Sequence, residues 1–135
     1  MKSLLGVTME ADGTHFFDVI TVGEMVIRKK PAPEVYQLAL EQLNLPANAC
    51  LAIEDSYNGV MAARRCGIPV LATTSTYTCN EDLRYALAVL SDLGEPDAPF
   101  CHFGGPGAGE THVTIDALNR WHSGSVRHEV HAIFC

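Results

Sequence analysis

The sequence predicts an α/β fold with a parallel sheet, and three observations carry that expectation. Short apolar runs alternate with helical patterns, the loops between them are short, and one apolar run stops at an acidic pair, Glu54-Asp55. Strand–helix–strand order with short connections is the pattern of parallel sheets covered by helices. In such sheets ligands sit at the carboxyl ends of the strands, which is where Glu54-Asp55 falls.

Each element has a local reason. Phe16-Phe17-Asp18-Val19-Ile20-Thr21 reads as a buried strand. Pro31 and Pro33 then break the chain and start a helix, because proline is tolerated in a first turn. Tyr36, Ala39, Leu40 and Leu43 recur at i, i+3, i+4 and i+7, giving that helix one apolar face. Cys50-Leu51-Ala52-Ile53 is a short strand. Ser56 is positioned to cap a helix from about Tyr57 to Cys66, which Gly67 ends. Pro69–Thr73 and Ala88-Val89-Leu90 are the next strands. Beyond Asp92 the pattern weakens: residues 94–109 are rich in Gly and Pro and read as a loop. Glu110–Trp121 reads as a terminal helix with Val113, Ala117, Leu118 and Trp121 inward, and Ser123 onward as a tail. The chain divides into a lead-in over 1–15, a core over 16–100, and a loop, helix and tail over 101–135.

Size and charge limit the function. A chain of 135 residues suits one domain with a real core. Its net charge of −7 and nine Lys and Arg leave no basic run to neutralise a nucleic-acid backbone, so no nucleic-acid partner is expected. No apolar run approaches the roughly 20 residues of a membrane helix, and the start lacks a signal pattern, so a cytoplasmic, membrane-free protein is expected. The five cysteines are odd in number, scattered, and without a C-x-x-C pair, which does not make a disulfide framework.

Two groups carry candidate chemistry. Adjacent carboxylates at a strand end, Glu54-Asp55, offer hard oxygen ligands to a cation such as Mg2+, or alternatively form a solvated turn. Lys30 precedes a proline-initiated helix whose amino end favours anions, and stands either to neutralise a phosphoryl group or as a solvated lysine beside a turn.

Their combination is more specific. Lys30-Pro31-x-Pro33, followed two dozen residues later by Ile53-Glu54-Asp55-Ser56-x-x-Gly59, resembles the third and fourth motifs of the haloacid dehalogenase superfamily. Lys29–Gly67 is similar to its sugar-phosphate phosphatase and phosphoglucomutase branch. Thr76-Tyr77-Thr78 and Val89–Pro96 extend the likeness to CbbY-type phosphatases, over about Phe16 to Phe100. The resemblance implies a three-layer, Rossmann-like core and Mg2+-dependent hydrolysis of a small sugar phosphate through an aspartyl-phosphate. It implies Lys30 as the catalytic lysine, Asp55 as a metal ligand, and Glu54 as its acidic neighbour, acting directly or through water. Ser56 would support the loop, and Gly59 would let the helix pack closely on the sheet.

The family's first motif, D-x-D-x-T, supplies the nucleophile, and no such motif occurs here. Its nearest look-alike, Glu10-Ala11-Asp12-Gly13-Thr14, puts glutamate at the nucleophile position and lies too close to Lys30 for a cap domain to intervene. The expectation is therefore a carboxy-terminal portion of the fold, lacking nucleophile strand and cap. Alone it would be weakly active or inactive, because the covalent step lacks its aspartate. Strand edges left bare by the missing strands would favour self-association or an amino-terminal complementing half. The alternatives are an active enzyme using Asp12 or Glu10, and a non-catalytic assembly or regulatory module that binds a partner through those edges. Two further patterns are set aside. Gly104-x-x-x-x-Gly109-Glu110-Thr111 copies a phosphate-binding loop but has glutamate where lysine is needed. His122, His128, His131 and Cys135 lack the paired spacing of a zinc site.

Overall fold

A computed structural model describes residues 23–123 and 131–134. The predicted strand Phe16–Thr21, the lead-in and the Glu10–Thr14 look-alike lie outside the described residues. A 3-10 turn at Gly23–Met25 leads through the Lys30–Pro33 segment, whose Lys30–Pro31 bond is cis, into helix α1, Glu34–Leu43. Asn44 closes α1 in the left-handed region at φ 53°, and Leu45 N–H returns to the Leu40 carbonyl. Strand β1 is Cys50–Glu54, α2 is Tyr57–Arg65, β2 is Val70–Thr73 and β3 is Ala88–Leu90. As anticipated, Ser56 caps α2: in extended backbone, its Oγ accepts from Gly59 N–H at 3.1 Å. Gly67 follows α2 at φ +78°, a backbone angle that disfavours any side chain. Strand β4 (His102–Gly104), helix α3 (Ile115–Ser123) and strand β5 (His131–Phe134) complete the order.

The described strands form one sheet in the order β4-β3-β2-β1-β5. β5, β1, β2 and β3 run parallel, and β4 joins antiparallel at one edge. The α/β class with a mainly parallel sheet is therefore as expected. Alternate residues of β1 point to opposite faces. Cys50 and Ala52 share a buried cluster with Val35, Tyr36 and Ala39 of α1 and Val60, Ala62 and Ala63 of α2. Leu51 packs on the other face with Leu71, Leu90, Phe100 and Leu118 of α3. Three layers result, with Glu54 on the α1–α2 face at the carboxyl end of β1.

Three details differ from the sequence reading. The glycine-rich stretch contains β4, paired through Val89↔Gly104 and Leu90↔His102. Helix α3 begins at Ile115 rather than Glu110. There the Thr114 hydroxyl accepts from Ala117 N–H at 3.0 Å, while Val113 N–H is drawn to the Leu93 carbonyl at 2.7 Å. The carboxy-terminal stretch contains β5, which pairs in parallel with β1 from Cys50↔His131 to Ile53↔Phe134. The outer edge of β1, expected to be bare, is thus covered. Four residues in a polar context carry little periodic signal, and the pairing is decided by the open N–H and C=O groups of β1. Ile133, 5% exposed, enters the cluster shared with Tyr36 and Ala52.

Candidate active site

The carboxyl end of β1 delivers Glu54 into the interior and Asp55 to the surface. Glu54 is 5% exposed, while Asp55 is exposed. A buried carboxylate is costly unless charged or hydrogen-bonding groups surround it. Two side chains do so at Oε1: Lys30 Nζ lies at 2.6 Å, and the buried Tyr36 hydroxyl donates to the same oxygen. Lys30 Nζ also sits 5.8 Å from the Tyr36 ring centroid, within range of the ring's negative face. Burial pushes the Glu54 carboxyl above its ordinary value. The charge and hydrogen bond of Lys30 and the Tyr36 hydroxyl pull the other way, and the charge of Asp55 adds to the rise.

Gly59 is what admits Glu54 to this position. A Cβ at residue 59 would fall 1.8 Å from Glu54 Oε2 and 2.2 Å from its Cδ. The sequence reading gave Gly59 the task of packing α2 closely on the sheet, and the atoms nearest to where its Cβ would stand belong to Glu54, the last residue of β1. Ser56 holds the Gly59 N–H from beneath, so the cap and the close approach belong to one turn.

The Lys30 segment is tied on several sides. Arg28 clasps Glu34 through its backbone N–H at 2.8 Å and through its guanidinium. Lys29 Nζ donates to the carbonyls of Gly23 and Val26, the latter at 3.2 Å. Lys29 is therefore directed away from Glu54, and Lys30 toward it. The Lys30 side chain is 26% exposed, so its ammonium borders both the buried carboxylate and solvent.

All five residues singled out from the sequence lie in one region: Lys30, Glu54, Asp55, Ser56 and Gly59. The Tyr36 hydroxyl's contact with Glu54 was not anticipated, since a tyrosine on an apolar helical face reads as core. Glu81 was missed as well: its carboxylate accepts from Tyr57 N–H at the amino end of α2, a contact between residues 24 apart that no local pattern signals.

Asp55 suits a hard cation, being an exposed oxygen donor at a strand end. Glu54 is less available, because Oε1 is engaged by Lys30 and Tyr36 and Oε2 lies under Gly59. Among the described residues no group of three His, Cys, Asp or Glu converges. Of the residues set aside earlier, His122 donates from Nε2 to the Cys50 carbonyl at 2.9 Å, and Glu110 pairs with Arg120 at 3.1 Å. Cys135 and His128 lie outside the described residues.

Known proteins match much of the chain. The family of haloacid dehalogenase-like hydrolases matches residues 7–73. Over 126 residues the chain is 40% identical to the plasmid "Protein CbbY" of Cupriavidus necator, covering 93% of this chain and 49% of that protein. The crystal structure of CbbY from Rhodobacter sphaeroides in complex with phosphate superposes with a TM-score of 0.57 at 39% identity, over 59% of this chain and 36% of that one. A second CbbY structure from the same organism, with xylulose-(1,5)bisphosphate, gives 0.57 at 38% identity, over 63% and 39%. The chain spans about half the length of the Cupriavidus relative.

Proposed function

Because the chain belongs to the haloacid dehalogenase-like hydrolase family, we propose that it supplies the lysine and metal-binding side of a phosphatase site for a small phosphorylated sugar, with Mg2+ as cofactor. The carrying observation is Lys30 against Glu54, with Asp55 exposed beside them at the same strand end. Positioned positive charge stabilises the charge that develops on a transferring phosphoryl group, beside whatever group attacks it. In this reading Lys30 steadies a phosphoryl oxygen and a carboxylate nucleophile together. Glu54, held by Tyr36, fixes the Lys30 ammonium, and Asp55 ligates the cation. Ser56 and Gly59 keep the turn that carries both carboxylates. Mg2+, when bound, supplies charge screening for the phosphoryl oxygens. The bisphosphate in the Rhodobacter sphaeroides structure supports a phosphorylated sugar as the substrate class.

The same reading holds that the 135 residues are weakly active or inactive alone, since the attacking aspartate has to come from a D-x-D-x-T segment that they do not contain. The site is tested by a magnesium-dependent phosphate-release assay with xylulose-1,5-bisphosphate and small phosphomonoesters. The chain is assayed alone and mixed with the amino-terminal half of a CbbY relative. Turnover is expected only in the mixture, and to be lost with Lys30→Met or Asp55→Asn. Turnover by the chain alone that vanishes with Glu10→Gln or Asp12→Asn would replace this reading with a self-sufficient enzyme.

The alternative assembly module requires bare sheet edges, and the pairing of β5 with β1 weighs against it at that edge. Light scattering after size exclusion tests self-association directly. No helix among the described residues is long and apolar enough to cross a membrane, and a cytoplasmic location belongs to the proposal.

A further inference from the structure

The segment that carries Lys30 is poor in backbone donors. Pro31 and Pro33 have no N–H, so at these positions only the carbonyls can tie the chain to the rest of the molecule. Two adjacent residues at the end of α2 reach those carbonyls. Arg65 donates from a guanidinium nitrogen to the Pro31 carbonyl at 2.6 Å, and the Cys66 thiol approaches the Pro33 carbonyl at 3.5 Å. Other ties shape the segment locally: Arg28–Glu34, Lys29 to Gly23 and Val26, and Ala32 N–H to the Lys29 carbonyl at 2.9 Å. Its carboxyl end runs into α1, where Tyr36 and Gln37 N–H donate to the Pro33 carbonyl at 3.0 Å, and the Pro31 carbonyl is held across the fold by Arg65.

Helix α2 thereby touches both halves of the site. Its first turn carries Gly59 over Glu54, and its last residue, Arg65, grips the loop of Lys30. The step of six residues from Gly59 to Arg65, at 1.5 Å each, makes this part of α2 a rod of about 9 Å. A rod of that length sets the distance between its two attachments.

We infer that Arg65, assisted by Cys66, is a positioning residue that holds the Lys30 segment at the distance from β1 required for the Lys30–Glu54 contact. Arg65 does so through the Pro31 carbonyl. A guanidinium suits the task because it stays charged and its planar fork lets one nitrogen bond the carbonyl while others remain hydrated. The inference rests on the role proposed for Lys30, yet concerns its placement, so placement and catalysis are separable by experiment.

The chain has three lysines, Lys2, Lys29 and Lys30, so reductive methylation with 13C-formaldehyde can be followed residue by residue. In the unmodified chain Lys30 is expected to react slowly, being mostly covered and paired with Glu54. Arg65→Met should raise the Lys30 rate roughly threefold to tenfold, the scale of one lost hydrogen bond. Arg65→Lys should keep the rate within about twofold of the starting value, and Arg64→Met, an equal charge change one residue away, should leave it unaltered. Rates are measured well below each variant's melting temperature, so that unfolding does not contribute. Cys66→Val tests the same brace through its second atom and should give a smaller rise. An unchanged Lys30 rate in both Arg65→Met and Cys66→Val, or an equal rise in Arg64→Met, would overturn the inference. Failure of the phosphatase assay with these labelling results intact would instead remove only the catalytic role of Lys30.

Discussion

Gly59 and Glu54 occupy one volume: the space a side chain would need at residue 59 is filled by the Glu54 carboxylate, with Oε2 1.8 Å from the ideal Cβ position. The contact ties the first turn of α2 to the end of β1. It also explains how a carboxylate comes to lie under a helix instead of in solvent. A free carboxylate would swing aside for a methyl group, but this one is clasped by Lys30 and Tyr36 and has little room to move.

Gly59→Ala should therefore cost more than its small size suggests. Loss of about 1–3 kcal/mol is expected in urea unfolding, the range of core overpacking, although alanine is the better helix former. Midpoints equal to or above that of the unmodified chain would show that Glu54 moves freely.

Tyr36→Phe removes one donor to a buried carboxylate and should destabilise by about 1–2 kcal/mol. Lys30→Met strips Glu54 of its counter-charge and should cost roughly 1–3 kcal/mol, less than a fully buried pair because Lys30 is partly open to water. Combined with Glu54→Gln, the Lys30→Met penalty should shrink, since the two side chains act on each other. Strict additivity in that double-mutant cycle would mean that their contact contributes nothing.

The pH dependence has a definite sign. Burial raises the Glu54 carboxyl above its ordinary value of 4.5, so the folded state binds this proton more tightly than the unfolded chain does. Its contribution to stability is complete below the unfolded value and is lost as pH rises through the raised one. In metal-free buffer, as pH rises from the ordinary value of 4.5 through the raised one, the unmodified chain should lose stability relative to Glu54→Gln. An unmodified chain that holds or gains stability relative to Glu54→Gln as pH rises would contradict the buried position of this carboxyl.

Strand β5 can be tested through Ile133, the side chain it places in the α1–α2 cluster. Ile133→Ala should cost about 2–4 kcal/mol by cavity formation. Removing residues 124–135 should in addition uncover the β1 edge and increase association, visible as a concentration-dependent mass in light scattering. A truncated chain that stays monomeric and melts unchanged would show that β5 adds nothing to the sheet.

Local features were legible in the sequence because their causes are local. Pro33 before α1, Ser56 capping α2, Gly67 past its end, and the apolar runs of β1, β2 and β3 all follow from backbone geometry and short-range periodicity. Lys30, Glu54, Asp55, Ser56 and Gly59 could be singled out as candidates through the spacing they share with a known family. Contacts between distant residues were not legible. Whether Glu54 faces Lys30 or a solvated turn depends on how α1, β1 and α2 pack, which sets 24 residues apart side by side. The roles of Tyr36 and Arg65 arise the same way: one hydroxyl and one guanidinium find partners 18 and 34 residues away. β5 is the clearest case, since a four-residue run becomes a strand only where an unpaired edge receives it. Sequence alone determined the elements and the chemical groups. Tertiary structure decided which groups meet, because burying a charge requires partners that only the assembled sheet and helices bring within reach.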